Sequence, residues 1–208
     1  YWMRGSALTK QLDAAWAEGT NAGGLDTGVI GNSDYYIWVI WRSDTAVVDY
    51  LYSLSSTAPT MPTGYDYRRL IGWFKRVGAT IVALDTYEIE GGGLELIWDA
   101  PTQDFDLTNT LTTSRRTDAI KVPLNFSVLA HIWAGINDAT ATVTLVYCPD
   151  QADQTPTLGS ALNNIVSGAG VPATRDLWVR TSATGTIAAR SDTATVDTYT
   201  VRTVGFRW

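Results

Sequence analysis

The groups in this 208-residue chain that could carry chemistry are few: one histidine and two small sets of carboxylates. His131 is the sole histidine. A Ser-His-Asp arrangement would also need a serine held on a sharp turn, and no Gly-x-Ser-x-Gly occurs. Asp85, Glu88, Glu90 and Glu95 flank Gly91-Gly92-Gly93, the composition that a carboxylate pair for sugar hydrolysis would use. Nothing in their spacing fixes two of them at a working separation, so we read them as solvated strand-end and loop carboxylates. Asp99, Asp104 and Asp106 lack the glycine and terminal glutamate of a calcium loop and read as a solvated linker. The triple glycine is not followed by Lys-Ser or Lys-Thr, so it serves a turn and not a phosphate. We therefore expect no catalytic residue, no cofactor and no metal ion.

Aromatic residues are the more informative class. Trp2, Trp38, Trp41, Trp73, Trp98, Trp133, Trp178 and Trp208 are spread over nearly every expected element. In the run Phe126–Ile136, strand alternation places Phe126, Val128, Ala130, Ile132 and Ala134 on one face, and Ser127, Leu129, His131 and Trp133 on the other. Leu177 and Val179 likewise oppose Trp178 and Arg180. If the apolar faces form the core, His131, Trp133 and Trp178 point outward. They are the candidate binding or interface residues. Burial against a neighbouring subunit is the expected role of the two indoles, with glycan contact the alternative.

The elements that must position these residues read almost wholly as β. Leu8, Leu12, Ala15 and Trp16 recur at helical spacing, which predicts one short N-terminal helix over residues 9–17. Gly23-Gly24 and the stretch from Gly28 to Asp34 read as loop. Tyr35–Trp41 is apolar on both alternating faces, so one face should pack on the core and the other on a second sheet or subunit. Arg42–Thr45 turns the chain back into Val47–Ser53. Further strands are expected at residues 70–74, 81–84, 94–98, 120–122, 126–136, 140–148, 177–182, 187–190 and 198–206, with Asn137-Asp138 as a hairpin turn. The polar stretch Asp99–Asp106, holding Pro101, is the expected boundary between two domains, residues 1–100 and 101–208. The fold class is thus mainly β: two antiparallel β-sandwich or jelly-roll-like domains.

Composition narrows the function classes. A net charge of −6 leaves no basic footprint for nucleic acid or anionic lipid. No apolar run reaches the roughly 18 residues of a membrane-spanning helix, so no membrane insertion is expected. The single cysteine, Cys148, reads as a buried strand thiol. Only 17% of residues are charged while nine are Trp and ten Tyr, which predicts that much surface is covered by self-association or by a ligand. The chain begins at Tyr1 and not at Met, so a longer gene product is expected upstream.

One resemblance sharpens this. The run Ser6-Ala7-Leu8-Thr9-Lys10-Gln11-Leu12-Asp13-Ala14-Ala15-Trp16, followed by Gly23-Gly24-Leu25-Asp26-Thr27-Gly28, resembles a module of bacteriophage and prophage tail-fibre-like proteins. Tyr36–Ile40, Val47-Val48-Asp49, the Pro-rich stretch Ser56–Tyr65 and Arg68-Arg69-Leu70-Ile71-Gly72 continue the same pattern over about the first third of the chain. Tyr147–Asp153 and the ending Val204–Trp208 resemble a companion segment. The resemblance implies a fibre or spike component on the virion exterior, tail or capsid. It implies a homotrimer that contacts other virion proteins and contributes to host attachment, with a cell-surface glycan as one candidate target. A tailspike-type glycan-degrading enzyme and an unrelated carbohydrate-binding module are the alternatives. Pro59 and Pro62 stiffen their loop, and Arg68 and Arg69 point to opposite faces of a strand, where one can meet a carboxylate.

Overall fold

The computed structural model describes residues 7–91, 93–101, 103–157 and 163–208, so Trp2, Ser6 and Gly92 lie outside the described residues. The chain is mainly β, with no helix among the described residues. It divides into two compact units, Tyr1–Val82 and Ala83–Trp208.

The first unit holds β1 (Lys10–Ala15), β2 (Ala22–Leu25), β3 (Ser33–Arg42), β4 (Val47–Ser53), β5 (Tyr67–Val77) and β6 (Thr80–Ile81) in one sheet, ordered β1-β2-β4-β3-β5-β6. The expected helix over residues 9–17 is therefore strand β1. Its residues alternate between half-buried and exposed, with Lys10, Leu12 and Ala14 inward and Gln11, Asp13 and Ala15 outward. Leu8, Leu12 and Trp16 fit both periods while Ala15 fits only the helical one, and tertiary pairing chose the shorter period. Gly23-Gly24, expected as loop, lies in the partner strand β2. A Cβ at Gly23 would stand 1.9 Å from the Ala15 carbonyl oxygen, so only glycine allows β1 to pass this close.

A buried ion pair locks this arrangement. Lys10 Nζ lies 2.9 Å from Asp49 of β4, and both side chains are only 1% exposed. Lys10 Nζ also donates to the Ala17 carbonyl at 2.6 Å, while Asp49 accepts from the amides of Gly19 and Tyr50. Every charge taken from water here has compensating partners.

Five of the seven residues Tyr35–Trp41 are buried, on both faces of β3. Tyr35 stacks on Phe74 at 5.4 Å in a cluster with Leu25. On the opposite face Trp38 donates its indole N–H to the Ser55 carbonyl at 3.1 Å and carries the Arg68 guanidinium over its ring. The chain's own loop thus covers the face that was expected to need a second sheet or subunit. Arg68 serves that cover: neither it nor Arg69 forms an ion pair among the described residues.

The second unit holds ten strands: β7 (Leu84–Ile89), β8 (Gly93–Trp98), β9 (Gln103–Leu111), β10 (Arg116–Ala119), β11 (Leu129–Asn137), β12 (Thr142–Tyr147), β13 (Asn164–Ser167), β14 (Ala173–Arg180), β15 (Thr186–Ser191) and β16 (Val196–Arg207). One sheet runs β14-β11-β16-β8-β7 with β9 also on β16, and the other runs β10-β15-β12-β13. The expected strand at residues 120–122 is irregular, and residues 81–84 divide between β6 and β7.

Two turn expectations change. Asp99–Asp106 is no boundary, because β8 before it and β9 after it both pair with β16. Asp104 is no solvated linker residue either. Its carboxylate accepts the Thr203 amide at 2.5 Å, the Thr203 hydroxyl at 2.7 Å and the Lys121 amide at 2.9 Å. Burial pushes its carboxyl above the usual carboxylate range, and those hydrogen bonds pull against the shift. Asn137-Asp138 does not close a hairpin, since β11 and β12 belong to different sheets. Asp138 is buried and accepts from the hydroxyls of Thr142 and Thr193, which pins the crossing. Cys148 is buried just beyond β12.

Two outcomes follow from this anatomy. Asp49→Ala leaves the Lys10 ammonium buried without its counter-charge and should lower stability by about 3–5 kcal/mol in denaturant unfolding. A chain of residues 83–208 should unfold cooperatively by circular dichroism, whereas one starting at residue 103 should not, since it lacks the buried Leu96 and Trp98 of β8.

Candidate functional site

The outward face of the β14-β11-β16 sheet collects the three candidate residues. On β11 the inward set Ala130, Ile132, Ala134 and Ile136 is buried, while Trp133 is 50% exposed. Register then fixes the neighbours. His131 stands opposite Trp178, Trp133 opposite Asp176, and Gly135 opposite Thr174 of β14. Across β11 on the other side, Trp133 stands opposite Arg202 and Gly135 opposite Thr200 of β16. Arg202 in turn stands opposite Gln103 of β9.

Asp176 ties the aromatic row together. Its Oδ1 lies 2.5 Å from His131 Nε2, and its Oδ2 accepts the Trp133 indole N–H at 3.4 Å. The His131 ring stacks on Trp178 with centroids 4.4 Å apart and planes 11° from parallel. The Arg207 guanidinium also lies against Trp178, 4.2 Å from its centroid, and pairs with Glu95 at 3.1 Å. Trp178 is therefore half-buried beneath two cationic or ionisable groups, a cation–π arrangement. Trp133 is left as the open aromatic surface.

Beside Trp133 the sheet face sinks into a groove of about 550 Å³. Gly135 lies buried in its lining, flanked so closely that a Cβ there would stand 2.9 Å from Thr200 Oγ1 and 3.3 Å from the Thr174 methyl. Trp133, Asp176, Thr174, Thr200, Arg202 and Gln103 line it. Arg175 also borders the groove, but its guanidinium donates to the Asn164 carbonyl.

Sequence alternation placed His131, Trp133 and Trp178 on outward faces, and the structure brings all three onto one surface. It could not place Asp176, Arg202, Gln103 and Gly135 beside them. The local signal was present in Asp176 and Trp178, two residues apart on one strand like His131 and Trp133. Which strands are neighbours is a long-range property that spacing does not contain.

The carboxylates near the triple glycine lie along the β7–β8 hairpin and the turn between its strands. Asp85, Glu88 and Glu90 are exposed on and beyond β7, and Glu95 is engaged by Arg207. Among the described residues no group of three His, Cys, Asp or Glu side chains is placed to hold a metal ion.

Two substitutions check the assignment of faces. Trp133→Ala should change stability by less than about 1 kcal/mol, as a half-exposed residue does, while Ile132→Ala on the buried face should cost about 2–5 kcal/mol. Urea unfolding monitored by circular dichroism reads both, and a larger loss at Trp133 than at Ile132 would reverse the faces.

Comparison with protein-family models, with curated proteins and with solved structures finds no match to this chain.

Proposed function

We propose that this protein is a bacteriophage virion component, a fibre or spike that contributes to attachment at the host surface. It acts by binding and not by catalysis. The observation that carries the reading is the outward row of β11 and β14, where His131, Trp133 and Trp178 share one solvent-facing surface on an all-β scaffold. A half-exposed indole held beside a stacked His131–Trp178 pair on rigid strands is suited to a recognition surface. The resemblance of residues 6–72 to tail-fibre-like modules supports the virion assignment.

Within this reading the two sheets of the second unit form a β-sandwich, whose buried residues come from both sheets. The assembly is a homotrimer. The doubly covered strand β3 supplies no argument for it. Support comes instead from the low charge content and from exposed Tyr67, Val77 and Ile81 along β5 and β6, apolar surface beside a sheet edge.

Antibodies against the purified chain should decorate the tail or capsid exterior of particles whose genome encodes it, and should block their adsorption. Native mass measurement should return three copies. Particles that remain unlabelled would remove the virion assignment, and a stable monomer at assembly concentration would remove the trimer.

A further inference from the structure

We propose that the groove beside Trp133 is a saccharide site. It takes a neutral pyranose whose C–H face lies on the indole and whose hydroxyls meet Asp176, Arg202 and Gln103. The inference deepens the surface-recognition reading above and rests on it.

Size and shape come first. The groove, about 550 Å³, falls within the roughly 300–1,000 Å³ of small-molecule sites. Gly135 is buried between the Thr200 hydroxyl and the Thr174 methyl, so beside the half-exposed Trp133 indole the lining is low and made of small groups. A flat ring can rest against the half-exposed indole and still reach Asp176 on one flank and Arg202 and Gln103 on the other.

The polar set then decides the ligand class. Asp176 is acceptor-only, Arg202 is donor-only, and Gln103 is both. Arg202 forms no ion pair among the described residues. A bound anion would satisfy Arg202 and be repelled by Asp176, and a cation would do the reverse. A hydrocarbon would desolvate both and pair with neither. A polyhydroxylated ring donates to the carboxylate, accepts from the guanidinium and offers an apolar face to the indole. Such a ring leaves no member of the set unmatched. A subunit closing over the groove would have to bring an acceptor to Arg202.

The site is also held ready. Asp176 is engaged by His131 and by the Trp133 indole N–H, so the wall and the acceptor are fixed relative to each other before any ligand arrives.

The test is titration of the full chain with maltohexaose, cellohexaose and mannohexaose, followed by tryptophan fluorescence and calorimetry. Hexagalacturonate and a chitosan hexamer serve as the charged comparisons. At least one neutral sugar should bind at one site per chain, more tightly than either charged oligomer. Trp133→Ala and Arg202→Ala should each weaken it by about tenfold or more, and Trp133→Phe should retain part of the binding. Binding by none of the three neutral sugars overturns the site, as does unchanged binding by Trp133→Ala. A change of oligomeric mass in Trp133→Ala also overturns it, by assigning the indole to a subunit contact. A chain that binds sugar but labels no particle keeps the groove and removes the virion reading. A chain that labels particles and binds none of the three sugars keeps the virion reading and removes the groove.

Discussion

The second unit depends on one strand being paired along both of its edges. β16 spans twelve residues, takes β11 on one side, and takes first β9 and then β8 on the other. Its polar backbone is thereby satisfied by three strands from distant parts of the sequence. The change of partner needs an irregularity, and one occurs: register shifts against β9 between Val201 and Arg202, and against β11 between His131 and Ile132. Asp104 holds that point by accepting both the amide and the hydroxyl of Thr203. Gly205 completes it, since a Cβ there would lie 2.3 Å from the Leu96 carbonyl oxygen. A bulge in this position re-aims the side chains beside it. Arg202 stays outward beside Trp133, while Val201 and Thr203 stay in the core.

The first unit solves a different problem. Its sheet begins with two parallel strands joined by a short connection, and that connection carries Gly19 and Asn21 at positive φ. Such a tight path needs an anchor. Lys10 and Asp49 provide it, joining β1 to β4 through a dry ion pair whose spare hydrogen-bonding capacity goes to Ala17, Gly19 and Tyr50. The Trp16 indole adds a bond to the Tyr50 carbonyl at 3.0 Å. The residues that resemble a tail-fibre module in this stretch are therefore structural in their own right: the lysine, the tryptophan, the glycine pair and the aspartate each have a mechanical role.

What could be read from spacing was local. Val47–Ser53 is β4 residue for residue, and the inward and outward sets on β11 follow from alternation alone. Where the reading failed, two local grammars fitted the same residues. Leu8, Leu12 and Ala15 suit a helix, but Lys10 could be buried only if Asp49, far along the chain, came to meet it. Asn137-Asp138 has the composition of a hairpin turn, but Asp138 finds Thr193 in place of solvent, and the chain crosses to another sheet. Pro101 looks like a linker residue until the strands on either side of it find a common partner. The candidate site divides in the same way. Its aromatics were visible because they alternate with core residues on their own strands. Its polar half, Asp176 and Arg202, acquires meaning only from register.

A site built on central strands has consequences for binding strength. Trp133 sits on a strand hydrogen-bonded on both sides, and its indole is tied to Asp176, so little ordering remains to be done when a ligand arrives. The groove is nonetheless open, and a single ring resting on one indole gains only modest apolar contact. Selectivity should exceed affinity, because a missing ligand hydroxyl leaves the Arg202 guanidinium desolvated and unmatched. Weak, selective sites become effective through repetition. Three copies presented to one repeating surface would raise avidity by about 10²–10⁴ with no new contact, provided the spacing allows them to engage together. Under the proposed trimer, self-association and an open groove would belong to one design: the exposed Tyr67, Val77 and Ile81 of the first unit would bring copies together while Trp133 kept its open face.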